Sequence, residues 1–517
     1  MANNFWFIYP SVLFICVFST LVLEYFFKPN IRLKLSVSRS RLIIVCGLVL
    51  CLYSLVLFMT HRLFFSFALC MLLVIVLLVV NNTKYATLRE PLVFSDFFLY
   101  LQAIHHPRLY FPFLGWLPIV LLGLVVLLLT LGFAIEQTAF SLVSFESLAL
   151  LLLSGLGGWL LYCRARIVSV VVSPDTDCKQ YGVLSVLAIY AIQAPLNKAW
   201  LQQKLLDEAP LKQVKVTGDS TLPDIVVVQS ESFFDARGMD SNVQQNVLEA
   251  YDRAVLTSAM HGKLEVPAWG ANTMRSEFAF LTGYHAEQLG LSQFYPYQQL
   301  LSLEVPSIVG SLKKLGYITV CIHPHAGGFF QRDVFFKKLG FDEFYDEADF
   351  QGALKVGPYT ADSEVTKKIK ATLSQKEKPC FIFAITMENH GPLHLEQLKA
   401  DEWKAYFYEK PRHGLEELSV YLRHLKNADS MVGELLNYFA RRDDVIMGFY
   451  GDHVPAISTI FSLLDYDDSR SNYFLWSNFE SPTEDLHEAS TCKTIKIESL
   501  AARILQMIEQ HSHLRKS

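Results

Sequence analysis

The chain has 517 residues, 52% of them apolar, a mean hydropathy of +0.28 and a formal net charge of −5. That is too apolar for a soluble globular protein and too polar for a chain made only of membrane spans, so two parts are expected. Residues 1–163 carry 9 Lys+Arg and 5 Asp+Glu against 36 and 45 in the remainder, and the mildly acidic larger part argues against a nucleic-acid partner. The nine cysteines include no C-x-x-C pair, which argues against a zinc ribbon or a disulfide framework.

In chain order, Phe5 to Phe27 is the first apolar run, long enough at about 1.5 Å per residue to cross a bilayer core of roughly 30 Å. It has neither a basic start nor a small-residue cleavage site, so it reads as an anchor and not as a removable signal peptide. Leu42 to Thr60 and Leu63 to Val80 are two further spans separated by His61 and Arg62. Phe113 to Ile135 and Ser147 to Cys163 bring the expected number to about five within residues 1–165. The aromatic and charged stretch between the third and fourth spans reads as interfacial, Tyr181 to Ile192 is too short for a sixth crossing, and residues 166–222 read as a linker. The positive-inside rule alone would place the basic segments 28–41 and 81–112, Arg164 and Arg166 in the cytoplasm, and the C-terminal domain with them.

From Pro223 to the end the pattern is that of an α/β domain. Apolar runs at Ile225 to Val228, Ile318 to Ile322, Phe381 to Thr386 and Val445 to Tyr450 alternate with helix-like stretches, which predicts a largely parallel sheet with both faces covered. The stretch from about Leu415 to Phe439 reads as an amphipathic helix. Ligands of such sheets bind at the carboxyl ends of the strands.

The residues at those ends carry the chemistry. Glu231 follows the first strand, MENHGP with Glu388, Asn389 and His390 follows the third, and Asp452 and His453 follow the fourth. Two carboxylates and an imidazole suit Mn²⁺, Mg²⁺ or Zn²⁺ and leave a position for a hydroxyl ligand. Thr273 in GANTMRSEFAFLTG, at the start of a predicted helix, offers that hydroxyl where unpaired N–H groups and the helix dipole favour an anion. Taken singly, Thr273, Glu231 and Asp452 also fit helix caps, and His453 fits a satisfied loop histidine. His323 and His325 in HPHAGG form a rival chelating pair without an adjacent carboxylate.

The order ESF, GANTMRSEFAFLTG, GFFQRDVFFKKLGFDEFYD, MENHGP and FYGDHVP resembles the lipoteichoic acid synthase and periplasmic phosphoglycerol transferase branch of the alkaline phosphatase and sulfatase superfamily. The resemblance covers residues 223–517 and implies a sulfatase-like catalytic domain behind a multispan transmembrane anchor. It implies Thr273 as nucleophile and one divalent metal, Mn²⁺ first and Mg²⁺ or Zn²⁺ next, held by Glu231, Thr273, Asp452 and His453. His390 matches the family's substrate-side histidine and Arg332 its phosphate-binding arginine. Phe330 stands where a tryptophan is common, which removes an N–H donor from the substrate pocket. The implied donor is phosphatidylglycerol in the membrane, and the implied acceptor is a cell-envelope glycan or polyglycerol phosphate. The domain is then expected on the external side of a bacterial cytoplasmic membrane, against the charge rule. A phosphoethanolamine transferase, a phosphodiesterase of the same fold and a catalytically silent sensor or scaffold are the alternatives; the C-x-P-x-R or S-x-P-x-R turn of a true sulfatase is absent.

Overall fold

The computed structural model describes residues 5–32, 35–103, 116–141, 143–212, 221–479 and 492–514. The chain divides into two compact units, 1–199 and 200–517, so the division falls inside the segment expected as a linker. Part of that segment is helical, at Pro174–Tyr181, Val183–Gln193 and Lys198–Asp207.

Among the described residues of the first unit, four helices are long and apolar enough to cross a membrane: Phe5–Phe26, Arg39–Thr60, Leu63–Leu88 and Phe145–Ile167. Each coincides with an expected span. A further apolar helix, Trp116–Ile135, lies in the remaining one, whose first residues, 113–115, fall outside the described residues. The 11-residue helix Val183–Gln193 is too short for a crossing. Tyr9 pairs with Ser54 at 2.8 Å and Glu24 with Arg41 at 2.8 Å between these helices, the kind of pairing a low-dielectric setting favours.

The second unit is built on an eight-stranded sheet. Its strands are β1 (Asp224–Ser230), β2 (Met260–Glu265), β3 (Ile318–Ile322), β4 (Glu343–Tyr345), β7 (Cys380–Ile385), β8 (Val445–Gly451), β9 (Ser471–Ser477) and β10 (Ile495–Lys496). β5 (Lys355–Val356) and β6 (Tyr359–Thr360) form a separate hairpin. The spatial order is β10-β2-β9-β8-β1-β7-β3-β4, and β8, β1, β7, β3 and β4 run parallel. β9 is antiparallel to both its neighbours.

The central strands are buried on both faces, which is why their sequences hold unbroken apolar runs such as IVVV and CFIFAI. The expected helix near 415–439 is observed at Glu416–Phe439, with Leu418, Leu422, Leu425, Val432 and Leu435 in the core. The parallel register opposes Ser230 to Gly451 and Gln229 to Ile385. Residues 231, 386 and 452, each next along its strand, therefore share one rim.

Candidate active site

The turn after β1 is set by Ser232, whose φ of 54° is left-handed. Its N–H donates to Asp452 Oδ1 at 2.8 Å, and its hydroxyl donates to Glu231 Oε1 at 2.9 Å. The N–H of Glu231 donates to Thr386 Oγ1 at 3.0 Å. The ends of β1, β7 and β8 are thus bonded to one another through these side chains. Gly451 permits the approach, since a Cβ there would lie 1.8 Å from the Phe233 carbonyl oxygen.

Glu231, Asp452 and His453 converge here, each at most 3% exposed. His453 Nδ1 donates to the Val454 carbonyl at 3.0 Å, so the lone pair lies on Nε2. That atom is 3.6 Å from Glu231 Oε1 and 3.4 Å from Asp452 Oδ2. Asp452 Oδ1 accepts from the backbone N–H groups of Ser232 and His453, whereas the buried Oδ2 has no hydrogen-bond partner. Burial and then the Asp452 charge push the Glu231 carboxyl up to about 8. One lone pair, one orphaned carboxylate oxygen and one carboxyl whose ionisation burial and then the Asp452 charge oppose form a donor set that fits a divalent cation. Among the described residues this is the only such group of three ligand-type side chains, and the rival His323–His325 pair does not form one. His323 is buried with Nδ1 turned to the Ile385 carbonyl at 3.4 Å; burial and then Arg332 hold its pKa well below the usual range.

The expected helix runs Thr273–Thr282, preceded by left-handed Asn272 at φ 65°. Its first turn is tied to the rim by Ser276, whose hydroxyl donates to the Asp452 carbonyl at 2.6 Å. Thr273 lies three residues earlier on that turn and is 8% exposed.

Arg332 is held by Glu277 of the same helix, four residues on from Thr273 and so on its face. Arg332 Nε donates to Glu277 Oε2 at 2.9 Å and Nη2 to Oε1 at 2.5 Å, with both side chains buried. Its guanidinium stands 4.9 Å from the Phe330 ring centre. Phe330 and Gln331 are both left-handed, at φ 59° and 61°, an unfavourable pair for non-glycine residues that sets the entry to the Arg332 helix. His390 Nδ1 donates to the Gly391 carbonyl at 2.7 Å, and burial lowers its pKa. Sequence reasoning missed Ser232, Ser276, Glu277 and Tyr359. Only the position of Ser232 beside Glu231 offered a signal.

The Sulfatase family model matches residues 223–507, more than half of the chain. The chain belongs to the sulfatase family. This sulfatase-family chain is 30% identical over 269 residues to the capsular polysaccharide biosynthesis protein RkpI of Rhizobium meliloti, covering 50% of this chain and 46% of that one. It is 26% identical over 145 residues to the lipoteichoic acid synthase of Staphylococcus saprophyticus, covering 27% and 21%. The fold of the whole chain is similar to the integral membrane lipooligosaccharide phosphoethanolamine transferase A from Neisseria meningitidis, with a TM-score of 0.57, 12% identity and coverage of 96% and 95%. The chain spans about half the length of the first curated relatives it matches. Ahead of its sulfatase-family domain lie helices long and apolar enough to cross a membrane, and the domain holds the Glu231, Asp452 and His453 cluster of metal-ligand type.

Proposed function

We propose that this protein moves phosphoglycerol from phosphatidylglycerol to an envelope glycan or polyglycerol phosphate, on the external face of the bacterial cytoplasmic membrane. The observation that carries the reading is the convergence of Glu231, Asp452 and His453 on a rim that Ser276 bonds to the helix beginning with Thr273. Similarity to a lipoteichoic acid synthase and to a polysaccharide biosynthesis protein supports the choice of group and acceptor.

Glu231, Asp452, His453 and the Thr273 hydroxyl would hold one divalent ion, Mn²⁺ first among the candidates. Bound there, it supplies charge that favours the Thr273 alkoxide and stabilises phosphoryl oxygens. Thr273 Oγ attacks phosphorus, the bond to diacylglycerol breaks, and a phosphothreonine ester remains. An acceptor hydroxyl then displaces Thr273 Oγ and takes the glycerol phosphate. Arg332 spends Nε–H and one Nη2–H on Glu277, which leaves Nη1 to hold a phosphate oxygen without losing its anchor. His390 moves the proton of the entering or leaving alcohol.

Intact-mass analysis of the full-length protein with phosphatidylglycerol and Mn²⁺ tests this. A glycerophosphoryl adduct on wild type and none on Thr273→Ala, with diacylglycerol released, is the expected result. An adduct with phosphatidylethanolamine alone would instead favour phosphoethanolamine transfer, the activity named for the Neisseria protein of like fold. No adduct with either lipid would overturn both.

A further inference from the structure

Tyr359, which no part of the transfer reading uses, reaches the His390 loop from the β5–β6 hairpin. Its phenol oxygen lies 3.3 Å from His390 Nδ1 and donates to the Gly391 carbonyl at 3.3 Å, and the two rings meet edge-on at 5.3 Å. The shorter bond, 2.7 Å from His390 Nδ1 to the same carbonyl, fixes the proton on Nδ1, because a carbonyl oxygen only accepts. The other tautomer would press two lone pairs together. His390 therefore presents an unprotonated Nε2.

The hairpin also comes close to the same loop by a second route. The turn residue Gly357, at φ 61°, sits so close to Glu396 that a Cβ would lie 2.4 Å from its carboxylate. Glu396 accepts from Arg423 and lies 3.3 Å from His424 Nε2. His424 Nδ1 is 3.1 Å from Glu388 Oε1, which also accepts from Asn427 at 2.5 Å, while Glu388 Oε2 accepts from the Asp362 N–H at 2.9 Å. Glu388 stands two residues before His390. A closed circuit of contacts thus runs from Tyr359 through the hairpin turn, Glu396, His424 and Glu388 back to the His390 loop.

We propose that Tyr359 is a positioning residue that, with the Gly391 carbonyl, holds His390 as the Nδ1–H tautomer and so commits Nε2 to accept the proton of the acceptor hydroxyl. The inference rests on the transfer reading above and assigns His390 to its second half. In that step the acceptor O–H proton passes to Nε2, the acceptor oxygen bonds to phosphorus, and the bond from phosphorus to Thr273 Oγ breaks. The imidazolium so formed keeps both the Gly391 carbonyl and the Tyr359 oxygen on its Nδ1–H side.

The test separates the two half-reactions in the full-length protein, using phosphatidylglycerol as donor and free glycerol as a probe acceptor. Y359F forms the Thr273 adduct within about 2-fold of the wild-type rate and discharges it about 10-fold more slowly, a fraction of the roughly 100-fold or greater loss that removal of a general base gives. kcat falls while kcat/KM for the lipid, which reports adduct formation alone, stays. H390Q discharges more slowly still, and the Y359F/H390Q double variant matches H390Q within about 2-fold, because the phenol acts only through the imidazole. Gly357→Ala, which drives the hairpin turn against Glu396, gives the same selective slowing and carries the test if Y359F folds poorly. Discharge by Y359F at the wild-type rate, equal slowing of both halves, or multiplicative effects of the two substitutions would each overturn the inference. Absence of any adduct on wild type overturns the transferase reading instead.

Discussion

Arg332 and Glu277 form a buried two-point ion pair, 2.9 and 2.5 Å long, between the FFQR turn and the helix that starts at Thr273. Glu277 also accepts from the Tyr297 hydroxyl at 2.6 Å and from Gln229 Nε2 at 3.3 Å. The pair therefore joins β1, two helices and the FFQR turn, and it fixes one edge of the guanidinium.

Removing one member leaves the other charged and unpaired in the core. Breaking a buried pair in this way costs about 3–5 kcal/mol, a Tm decrease on the order of 10 °C for a domain of this size. Glu277→Gln and Arg332→Met each lower the melting temperature by that order in scanning fluorimetry of the full-length protein, and the double variant recovers much of it. Either single variant melting within about 1 °C of wild type would show that the pair does not hold the helix to the turn.

The same pair marks where the sequence stopped being legible. β1, β3, β7 and β8 were readable because burial on both faces makes each an uninterrupted apolar run, and Ile318–Ile322 has the expected bounds. β9 was not, because Ser471 and Asn472 open it. Their side chains serve the rim: Ser471 Oγ donates to the Gly451 carbonyl at 2.7 Å, and Asn472 Oδ1 accepts from the Asp235 N–H at 2.9 Å. β2 alternates Met260, Gly262 and Leu264 inward with half-exposed or exposed residues, and its GK interior reads as a turn. The candidate ligands could be found from their places after strands. Glu277 could not, since a glutamate in a helix reads as a solvent-facing charge until the fold brings Arg332 to it.

The Glu231 carboxyl gives a pH dependence with a definite sign. Burial first and the Asp452 charge second raise it from an ordinary 4.5 to about 8. A carboxyl that binds its proton more tightly when folded stabilises the metal-free fold fully below 4.5, and that contribution is lost as pH rises through 8. Chelator-stripped protein should melt at progressively lower temperature between those limits, with Glu231→Gln showing a shallower slope. Mn²⁺ has to displace this proton, so its stabilising effect grows with pH over the same range. A slope unchanged in Glu231→Gln would assign the titration to another group.

Gly451→Ala tests the packing that brings the rim together. The added methyl carbon would stand 1.8 Å from the Phe233 carbonyl oxygen, a backbone atom that no rotamer change can move. Either β8 or the 231–234 turn must shift, and overpacking of this kind costs about 1–3 kcal/mol or more. Because Asp452 is the next residue, the shift separates Asp452 from Glu231. The expected outcome is a lower melting temperature together with Mn²⁺ affinity reduced by about 10-fold or more, read by calorimetric titration. A destabilised variant with wild-type affinity would show that the cluster does not depend on this contact.

Asp452→Asn should separate stability from metal binding. The carboxylate's Oδ1 already accepts two backbone N–H groups, and an amide oxygen can take over both bonds. Oδ2, which has no partner and lies 3.4 Å from the His453 Nε2 lone pair, would become an NH₂ able to donate to that nitrogen. The substitution also removes the charge that opposes ionisation of Glu231. The metal-free variant is therefore expected to be more stable than metal-free wild type, by about 1–2 kcal/mol for an orphaned buried acceptor replaced by a satisfied donor. Added Mn²⁺ raises the melting temperature of wild type and leaves the variant nearly unmoved, because a neutral amide is a poor ligand for a divalent ion. Thermal melts of both proteins with chelator and with Mn²⁺ give all four values. A variant less stable than wild type in chelator would mean that the Asp452 charge is compensated by the protein itself, and that the cluster is a structural network and not a metal centre.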